Sequence, residues 1–441
     1  MKKDKKGTRK NLHYSFMDGI FSSSMIGFTQ DYFIPYMMYI GGTLREIAFL
    51  NAIPNLVASL VQVKTYKIMV LLKSRKRTIT IFVFLQAASL GVIAVLSFLK
   101  IKSPSIMIVL VVFFTTFGAI SVPAWGSLMS DIVPERKRGN YFGWRNSVLG
   151  IIIVGTSLCS GIMLYIMKSE SLAIGFACLF SAAFFARIIS WIFLNRMNDP
   201  EEQTKYLVSR ISLNDFFNKL KKSNFARFVI SVSLLNFSVN LAAPFFPVLL
   251  LKELKYNYLV YSVIMMSAPL AMYLMMRRWG KLADRIGNVK IIKLTGPLIA
   301  IIPILWVISL NPLFLIFAQV FSGFIWSGYN LSASNFIFDA VQKEKRVRYI
   351  SYFNVINGIM LSAGSIMGAY IITFLPPVQG YRILTLFILS ALLRLIITMV
   401  VPMKLKEVRR VSNMNSNQVF SSMIGIKPLL GVQRKTIKYF R

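Results

Sequence analysis

Acidic side chains are the residues of this sequence with the clearest potential for chemistry, because they are rare in a basic and apolar chain. The 441 residues include 51 Lys and Arg but only 16 Asp and Glu, a formal net charge of +35. Asp31 lies inside a long apolar run, whereas Asp131, Asp284 and Asp339 lie close to the ends of such runs. A carboxylate inside an apolar segment is costly and marks a binding or proton-transfer site, while one at the end of a segment can form ion pairs. We therefore predict one buried polar site and a separate set of charged contacts.

The elements that must position these groups are twelve apolar runs, each long enough to cross the roughly 30 Å hydrocarbon core of a membrane as a helix. They cover residues 16–40, 47–63, 79–99, 105–130, 146–167, 172–194, 228–251, 258–276, 291–310, 313–338, 350–375 and 383–402. Only 15% of the residues are charged, against roughly 25% in a soluble protein, which excludes an ordinary soluble enzyme and a disordered scaffold. Since an open sheet would leave backbone groups unpaired in lipid, we predict an all-α integral membrane protein with twelve spans.

The positive charge predicts the orientation of the spans. Most Lys and Arg residues lie in the two tails and in every second connection, and connections of this kind face the cytoplasm. Both termini are therefore predicted to be cytoplasmic, which accounts for the charge without a nucleic-acid partner. The predicted units are a basic tail at 1–15, a six-helix bundle at 16–194, a cytoplasmic linker at 195–225, a second bundle at 226–402 and a basic tail at 403–441. The C-terminal tail could bind anionic lipid head groups or serve only the topology.

An internal repeat relates the two predicted bundles at a fixed offset of 208 residues. Seven identities connect the segment around Asp131 with the segment around Asp339, which is difficult to ascribe to chance. The identical pairs are Asp131 and Asp339, Val133 and Val341, Lys137 and Lys345, Arg138 and Arg346, Tyr141 and Tyr349, Asn146 and Asn354, and Gly150 and Gly358. Weaker similarity at almost the same offset pairs two further positions in the spans, Asp31 with Asn240 and Arg187 with Arg394. The two halves are therefore predicted to be parallel and pseudo-symmetric.

One motif between spans eight and nine is specific enough to indicate a family. The segment from Gly280 to Lys290 reads Gly-Lys-Leu-Ala-Asp-Arg-Ile-Gly-Asn-Val-Lys. With two parallel six-helix halves, it resembles the signature loop of the major facilitator superfamily of secondary transporters. The counterpart at residues 72–78 keeps the basic charge but has lost the Asp and the Gly. The paired segments around Trp125 to Asn146 resemble a branch of poorly characterised bacterial exporters. The resemblance implies a small-molecule substrate, a multi-pass location in the cytoplasmic (inner) membrane and efflux as one direction of transport.

The resemblance also implies a central cavity lined by spans one, four, seven and ten, around which the halves rock. Asp31 and Asn240 are then predicted to lie opposite each other across it, and a proline four residues after each allows the helix to bend. A desolvated Asp31 could exchange protons and couple transport to the proton gradient. Alternatively, its carboxylate reaches the outer interface or pairs with Arg45 or Lys252.

Further polar and aromatic residues are candidates for the cavity wall. Span two carries a one-faced polar stripe consisting of Asn51, Asn55, Ser59 and Gln62. Cavity lining is one interpretation of this stripe, and packing against a neighbouring helix is the other. In span ten, Trp326, Tyr329 and Asn330 are predicted to supply aromatic walls with polar edges. Arg187 and Arg394, in spans six and twelve, are predicted to reach the cytoplasmic interface as anchors.

The signature segment is predicted to form one half of a cytoplasmic gate. Gly280 and Gly287 would permit a tight turn between closely packed helices. Asp284 can pair with a basic group or with the positive N-terminus of span eleven. Arg285 is placed to reach Asp339 at the inner end of span ten.

The repeat predicts an equivalent gate in the first half, in which Asp131 pairs with Lys73 or Arg75. By the family resemblance, such clusters would hold the cytoplasmic side closed and break when it opens. The alternative is that these charges only fix the topology of the chain.

Patterns typical of enzymes and metal sites are absent from the sequence. It contains no His-Glu-x-x-His, no Gly-x-Ser-x-Gly and no Gly-x-x-x-x-Gly-Lys pattern. His13 is the only histidine, and Cys159 and Cys178 lie inside spans, so neither a zinc site nor a disulfide framework is indicated. We predict a monomeric secondary transporter without a cofactor, and not an enzyme. A facilitative uptake carrier and a non-transporting or lipid-handling membrane protein are the alternatives.

Overall fold

The computed structural model describes residues 5–133, 138–167, 171–199, 223–341 and 346–408. Within these residues the chain is almost entirely helical, and its only extended pairing is an isolated bridge between Val378 and Tyr381. Eleven of the described helices are long and apolar enough to cross a membrane. The remaining span is the first, whose helix begins with basic residues and is interrupted before its end. The predicted all-α membrane fold is confirmed.

The spans keep the predicted order, and we number them from one to twelve. In the first half they are Lys5–Thr29 with Phe33–Tyr39, Leu44–Gln62, Arg75–Phe98, Pro104–Ile132, Arg138–Ile166 and Leu172–Arg196. In the second half they are Asn224–Asn240 with the irregular turns Ala243–Phe245, Phe246–Val248 and Leu249–Glu253, then Tyr258–Ile286, Asn288–Ile308, Pro312–Ala340, Arg346–Ile371 and Arg382–Val400. A short helix, Thr65–Leu71, separates spans two and three. Residues 200–222 of the predicted linker and 409–441 of the C-terminal tail lie outside the described residues.

Spans one and seven are both interrupted at the positions that the repeat relates. The first helix of span one ends at Thr29 and the second begins at Phe33. The regular helix of span seven ends at Asn240 and gives way to short turns. Pro35 and Pro244 each lie in the first turn after the interruption, where a missing N–H leaves no hydrogen bond unmade. The predicted bends are therefore complete breaks, and Asp31 lies within the first of them.

Neighbouring spans follow the same order in both halves. In the first half the order of packing is two, four, three, six, one and five, and in the second it is eight, ten, nine, twelve, seven and eleven. Adding six to each number of the first series gives the second, as the repeat requires. The halves meet where span five packs against span eight and where span two packs against span eleven. We call these two contacts the lateral seams.

Glycines allow close approach of the helices along both lateral seams. A methyl group at Gly161 would overlap Ser262 of span eight, and one at Gly358 would overlap Ser59 of span two. Gly150, the repeat partner of Gly358, lies equally close to the ring of Tyr273. Small residues of this kind are typical where membrane helices pack tightly. Both seams therefore depend on glycines, and two of these glycines, Gly150 and Gly358, occupy equivalent positions in the two halves.

The apolar core is continuous between the halves on only one side of the membrane. We call the side at which the described chain begins and ends the near side, and the opposite side the far side. One large cluster on the far side contains residues of both halves, among them Tyr32, Leu50, Leu241, Tyr261 and Ile372. On the near side the buried apolar residues form separate clusters, each confined to one half. The halves are thus packed together on the far side and have separate cores on the near side.

Candidate functional site

A cavity of about 390 Å³ lies within the first half, between spans one, two and four. Gln86 of span three and Arg187 of span six also line it. Its apolar wall includes Met25, Phe33, Val111 and Phe114. Its polar wall is formed by Ser22, Thr29, Gln30, Asn51, Asn55, Gln86, Thr115, Ser121 and Arg187. A mostly apolar enclosure of this size with a few convergent polar groups is typical of a small-molecule site.

Arg187 is the only charged residue that lines this cavity among the residues described. Its side chain is 6% exposed. Nε donates to Gln86 Oε1 at 2.8 Å, and Nη1 donates to the hydroxyls of Ser22 and Ser190 at 3.0 Å each. The prediction that Arg187 extends to the cytoplasmic interface is wrong, because neighbouring spans supply polar acceptors inside the bundle. Arg394 in span twelve is likewise 2% exposed, so its predicted anchoring role is also wrong.

A buried carboxylate and a second arginine lie next to Arg187. Ser190 Oγ donates to Asp18 Oδ1 at 2.7 Å, and Arg145 Nη2 lies 3.8 Å from Asp18 Oδ2. Arg145 also donates to the backbone carbonyl of Ser15 at 3.1 Å, and its guanidinium lies 4.7 Å from the ring centroid of Trp125. The cluster thus contains two cations and one carboxylate. The sequence analysis missed Asp18 because it lies close to the basic tail, although its spacing of four from Ser22 places both on one helix face.

Asp31 has a different environment from the cavity residues. It lies at the break in span one, partly buried, and its backbone carbonyl accepts a hydrogen bond from Tyr261 Oη at 2.6 Å. Its carboxylate forms no hydrogen bond or ion pair with any residue that the structure describes. Pairing with Lys252 or Arg45 is therefore not seen, and Arg45 instead lies over the ring of Tyr370 at 5.3 Å. Gln30, and not Asp31, lines the cavity.

Asn240, the repeat partner of Asp31, is hydrogen-bonded across the boundary between the halves. Asn51 Nδ2 lies 3.3 Å from Asn240 Oδ1 and donates to Ser365 Oγ at 2.6 Å. One amide of span two therefore joins spans seven and eleven at the edge of the cavity. Asn55 continues the cavity wall and donates to the backbone carbonyl of Asn51 at 2.7 Å. Asn51 and Asn55 of the stripe on span two thus face the cavity, and Asn51 also contacts the other half.

The other two residues of the same stripe, Ser59 and Gln62, lie in a lateral seam and do not line the cavity. Ser59 is covered by Gly358 of span eleven. Gln62 Oε1 accepts from Asn354 Nδ2 at 3.1 Å, and Gln62 Nε2 lies 3.4 Å from the carbonyl of Ala119. For Ser59 and Gln62 the structure favours the helix-packing interpretation.

The three candidates in span ten are not part of the cavity wall. Tyr329 is 3% exposed and packs in the near-side core of the second half. Trp326 is edge-on to Tyr329, with 5.7 Å between ring centroids, and packs against the same core. Asn330 is exposed. Both rings pack within the second half, and a role of these residues in a central cavity between the halves stays a prediction.

The predicted charged contact of the first half is present on the near side. Arg75 Nη1 lies 2.5 Å from Asp131 Oδ2 and donates to the hydroxyl of Ser127. Arg75 Nη2 also lies 2.8 Å from Asp199 Oδ1, a residue after span six that the sequence analysis missed. Of the two partners predicted for Asp131, the structure shows Arg75. Lys73 is exposed in a left-handed turn with a φ of 52°.

The signature segment of the second half takes a different form from the predicted turn. Gly280 lies inside the helix of span eight, and the turn to span nine is made by Gly287 alone, with a φ of 90°. Asn288 Nδ2 then donates to Asp339 Oδ2 at 2.8 Å. The contacts predicted for the exposed side chains of Asp284 and Arg285 stay predictions.

Two asparagine side chains, one in each half, make the same pair of backbone hydrogen bonds at places that the sequence repeat does not identify. The side chain of Asn11 donates to the carbonyl of Asn198 at 2.9 Å and accepts from its backbone N–H at 2.9 Å. The side chain of Asn224 makes the same pair of bonds with the backbone of Lys406, at 2.7 and 3.0 Å. Residues 198 and 406 are again 208 apart. The segments after spans six and twelve are therefore fixed in the same way.

Comparison with known proteins assigns the family. A sequence profile of the Major Facilitator Superfamily matches residues 18–365. The chain belongs to this superfamily. A curated relative, an uncharacterized MFS-type transporter of Methanocaldococcus jannaschii, is 31% identical over 186 residues, which are 41% of this chain and 46% of that relative. The match thus spans less than half the length of that relative.

Solved structures of transporters share the fold of this superfamily member. The nucleoside transporter NupG superposes with a TM-score of 0.67 and 14% identity, covering 91% of this chain and 100% of that one. A POT family transporter in complex with 5-aminolevulinic acid has a TM-score of 0.68 and 11% identity, covering 88% and 94%. A bacterial homologue of the human lysosomal transporter Spinster, inward-facing and unoccupied, has a TM-score of 0.60 and 12% identity, covering 90% and 97%. The chain thus shares the multi-pass helical fold of these transporters.

Proposed function

We propose that the protein moves a small solute across the cytoplasmic membrane by alternating access, with the solute bound in the cavity between spans one, two and four. The observation that carries this proposal is the cavity itself, since a volume of about 390 Å³ with polar groups from several spans suits a small organic molecule. Family relatives that bear the names of nucleoside and POT family transporters support a small-molecule substrate.

The packing of the halves supports the alternating-access part of the proposal. The shared core on the far side closes the molecule there, while on the near side the apolar cores are separate and the halves are in contact through the lateral seams. Because basic connections lie in the cytoplasm, the near side is the cytoplasmic side. The conformation is therefore assigned as closed to the outside and accessible from the cytoplasm.

The solute site can be tested by flux into proteoliposomes, screened with chemically diverse small solutes with and without an imposed proton gradient. For a transported solute, Asn55→Leu removes a polar group from the cavity wall and should raise KM at least tenfold. The matched control is Asn330→Leu, which changes an exposed amide outside the cavity and should leave KM within twofold. Absence of facilitated movement of every solute by verified folded protein would favour a non-transporting or lipid-handling role.

Coupling to protons is assigned to Asp31, because its carboxylate has no cation or hydrogen-bond donor among the described residues. A carboxylate without a permanent partner is able to alternate between its charged and neutral forms during a transport cycle. Asp31→Asn should abolish accumulation driven by a proton gradient while retaining exchange of solute down its own gradient. Gradient-driven uptake equal to that of the parent would remove Asp31 from the mechanism and favour a facilitative carrier.

A further inference from the structure

Arg187 is placed at the cavity with part of its hydrogen-bonding capacity unused. Nε and Nη1 are engaged by Gln86, Ser22 and Ser190, whereas Nη2 has no hydrogen-bond partner among the described residues. A guanidinium carries five N–H donors, so the two on Nη2 remain for a ligand. We infer that the cavity recognises its solute through an anionic group, a carboxylate, bound by Arg187. This inference rests on the proposed function, because it names the class of solute that the same cavity accepts.

The charge balance of the cluster behind the cavity supports an anion. Asp18 is the one carboxylate near Arg145 and Arg187 within the structure as described, and its charge acts on both arginines. Two buried cations and one carboxylate leave an excess of one positive charge. One carboxylate cannot neutralise both cations, and an entering anion lowers the cost of burying the second. Arg187 is the member of the cluster that reaches the cavity.

The direction of the guanidinium is fixed by its surroundings. Gln86 Oε1 accepts from Arg187, while Gln86 Nε2 donates to the carbonyl of Phe114 at 3.2 Å. Gly118 makes room for this amide, since a methyl group there would lie 2.5 Å from Gln86 Nε2. A cation held in this way can bind a carboxylate with little reorganisation. Gln86 is therefore a positioning residue for Arg187.

The repeat provides an internal control for this inference. Arg394 is also buried, but its nitrogens face Ser390 Oγ at 3.1 Å and the carbonyls of Ile299 and Val239 at 3.4 Å each. It does not line the cavity described above. Both halves thus bury an arginine at related positions, and of these two only the arginine of the first half lines this cavity.

The test compares carboxylates with their neutral amides on purified full-length protein in detergent. Thermal unfolding is followed while acetate and acetamide, benzoate and benzamide, and nicotinate and nicotinamide are titrated in pairs at constant ionic strength. We expect at least one carboxylate to raise Tm with saturation and its amide to require a concentration at least tenfold higher. Arg187→Gln should remove this preference, Arg187→Lys should retain it in part, and Arg394→Gln should keep it.

Three results would overturn the inference: no carboxylate stabilises the parent protein, each amide binds as well as its acid, or Arg187→Gln retains the preference. The first two need no variant, so a folding defect in Arg187→Gln leaves the inference testable. Failure of the proposed function is distinguishable from these results. Facilitated flux of neutral solutes alone would retain the transporter and reject the anion, whereas saturable carboxylate binding without flux of any solute would reject transport.

Discussion

Spans three and nine begin in equivalent positions on the near side, where the first residue of span three is Arg75, which forms ion pairs, and the first residue of span nine is Asn288, which forms a hydrogen bond. In the first half, Arg75 is the first residue of span three and is 1% exposed. It contacts Asp131 at the end of span four and Asp199 after span six. Three separate segments of the first half therefore meet at one guanidinium.

In the second half, the corresponding segments meet around the start of span nine, whose first residue is an asparagine. Asn288 is the first residue of this span and donates to Asp339 at the end of span ten. Glu407 follows span twelve and accepts from the backbone N–H of Val289 at 2.8 Å. A carboxylate at this place also interacts favourably with the positive end of the helix dipole.

The comparison shows which part of the arrangement the two halves share. Asp131 and Asp339 are 208 residues apart, and so are Asp199 and Glu407. The acidic positions are thus retained, while the first residue of the span that contacts them has changed from Arg75 to Asn288. Loss of a buried cation that contacts two carboxylates is more costly than loss of one neutral donor that contacts one carboxylate.

The largest expected effect is therefore that of Arg75→Gln. The substitution removes the cation that both Asp131 and Asp199 contact, and we expect the free energy of unfolding to fall by about 3 kcal/mol. The value lies at the low end for a buried pair because the side chain of Asp131 is 35% exposed and solvent screens part of the interaction. Asn288→Ala removes one hydrogen bond to a carboxylate and should cost about 1.5 kcal/mol. Thermal unfolding in detergent, followed for both variants beside the parent, measures the difference.

Equal losses of stability for the two variants would contradict the distinction between the halves. A larger loss for Asn288→Ala would reverse it, and would mean that Asn288 contributes more to the stability of the protein than Arg75. Added salt provides a second measurement on the parent and the variants. The difference between the parent and Arg75→Gln should shrink with salt more than the difference between the parent and Asn288→Ala.

Much of the fold could be predicted from the sequence, because membrane burial and the repeat both leave strong patterns. The apolar runs, the parallel halves and bends near Asp31 and Asn240 all follow from hydrophobic length, a fixed offset and proline. The ends of the spans were less predictable. Span eight continues to Ile286 through the basic signature segment, since a helix can extend into water through polar residues, and an apolar run does not show where such an extension ends.

The candidate site could be predicted only in part, because a buried charge is recognised by its partners and these lie far apart in the chain. Asn51 and Asn55 were identified from their spacing on span two. Asp18 and Gln86 were not, since each is a single polar residue whose contact with Arg187 arises from the packing of spans one, three and six. Applying the repeat offset to acidic residues outside the spans would have found Asp199 together with Glu407.

The smaller expected effect concerns the backbone conformation of the residue that precedes each span. Span three begins after Ser74, whose hydroxyl accepts from the N–H of Arg77, whereas span nine begins after Gly287 with a φ of 90°. Gly287→Ala should cost roughly 1–2 kcal/mol, because alanine is strained at positive φ. The new methyl group would also overlap Glu407 and weaken its bond to span nine.

Gly280→Ala is the matched control within the same segment, since Gly280 lies inside the helix and its added methyl group would meet Leu331 at an ordinary 3.6 Å. It should leave stability unchanged or raise it by up to about 1 kcal/mol through the higher helix propensity of alanine. Thermal unfolding in detergent measures both. A loss for Gly280→Ala as large as that for Gly287→Ala would mean that the segment depends on both glycines, as a tight turn between them would require. The predicted difference between the two variants instead reflects one residue with a positive φ, Gly287 at the end of span eight. This residue packs against Glu407, which follows span twelve.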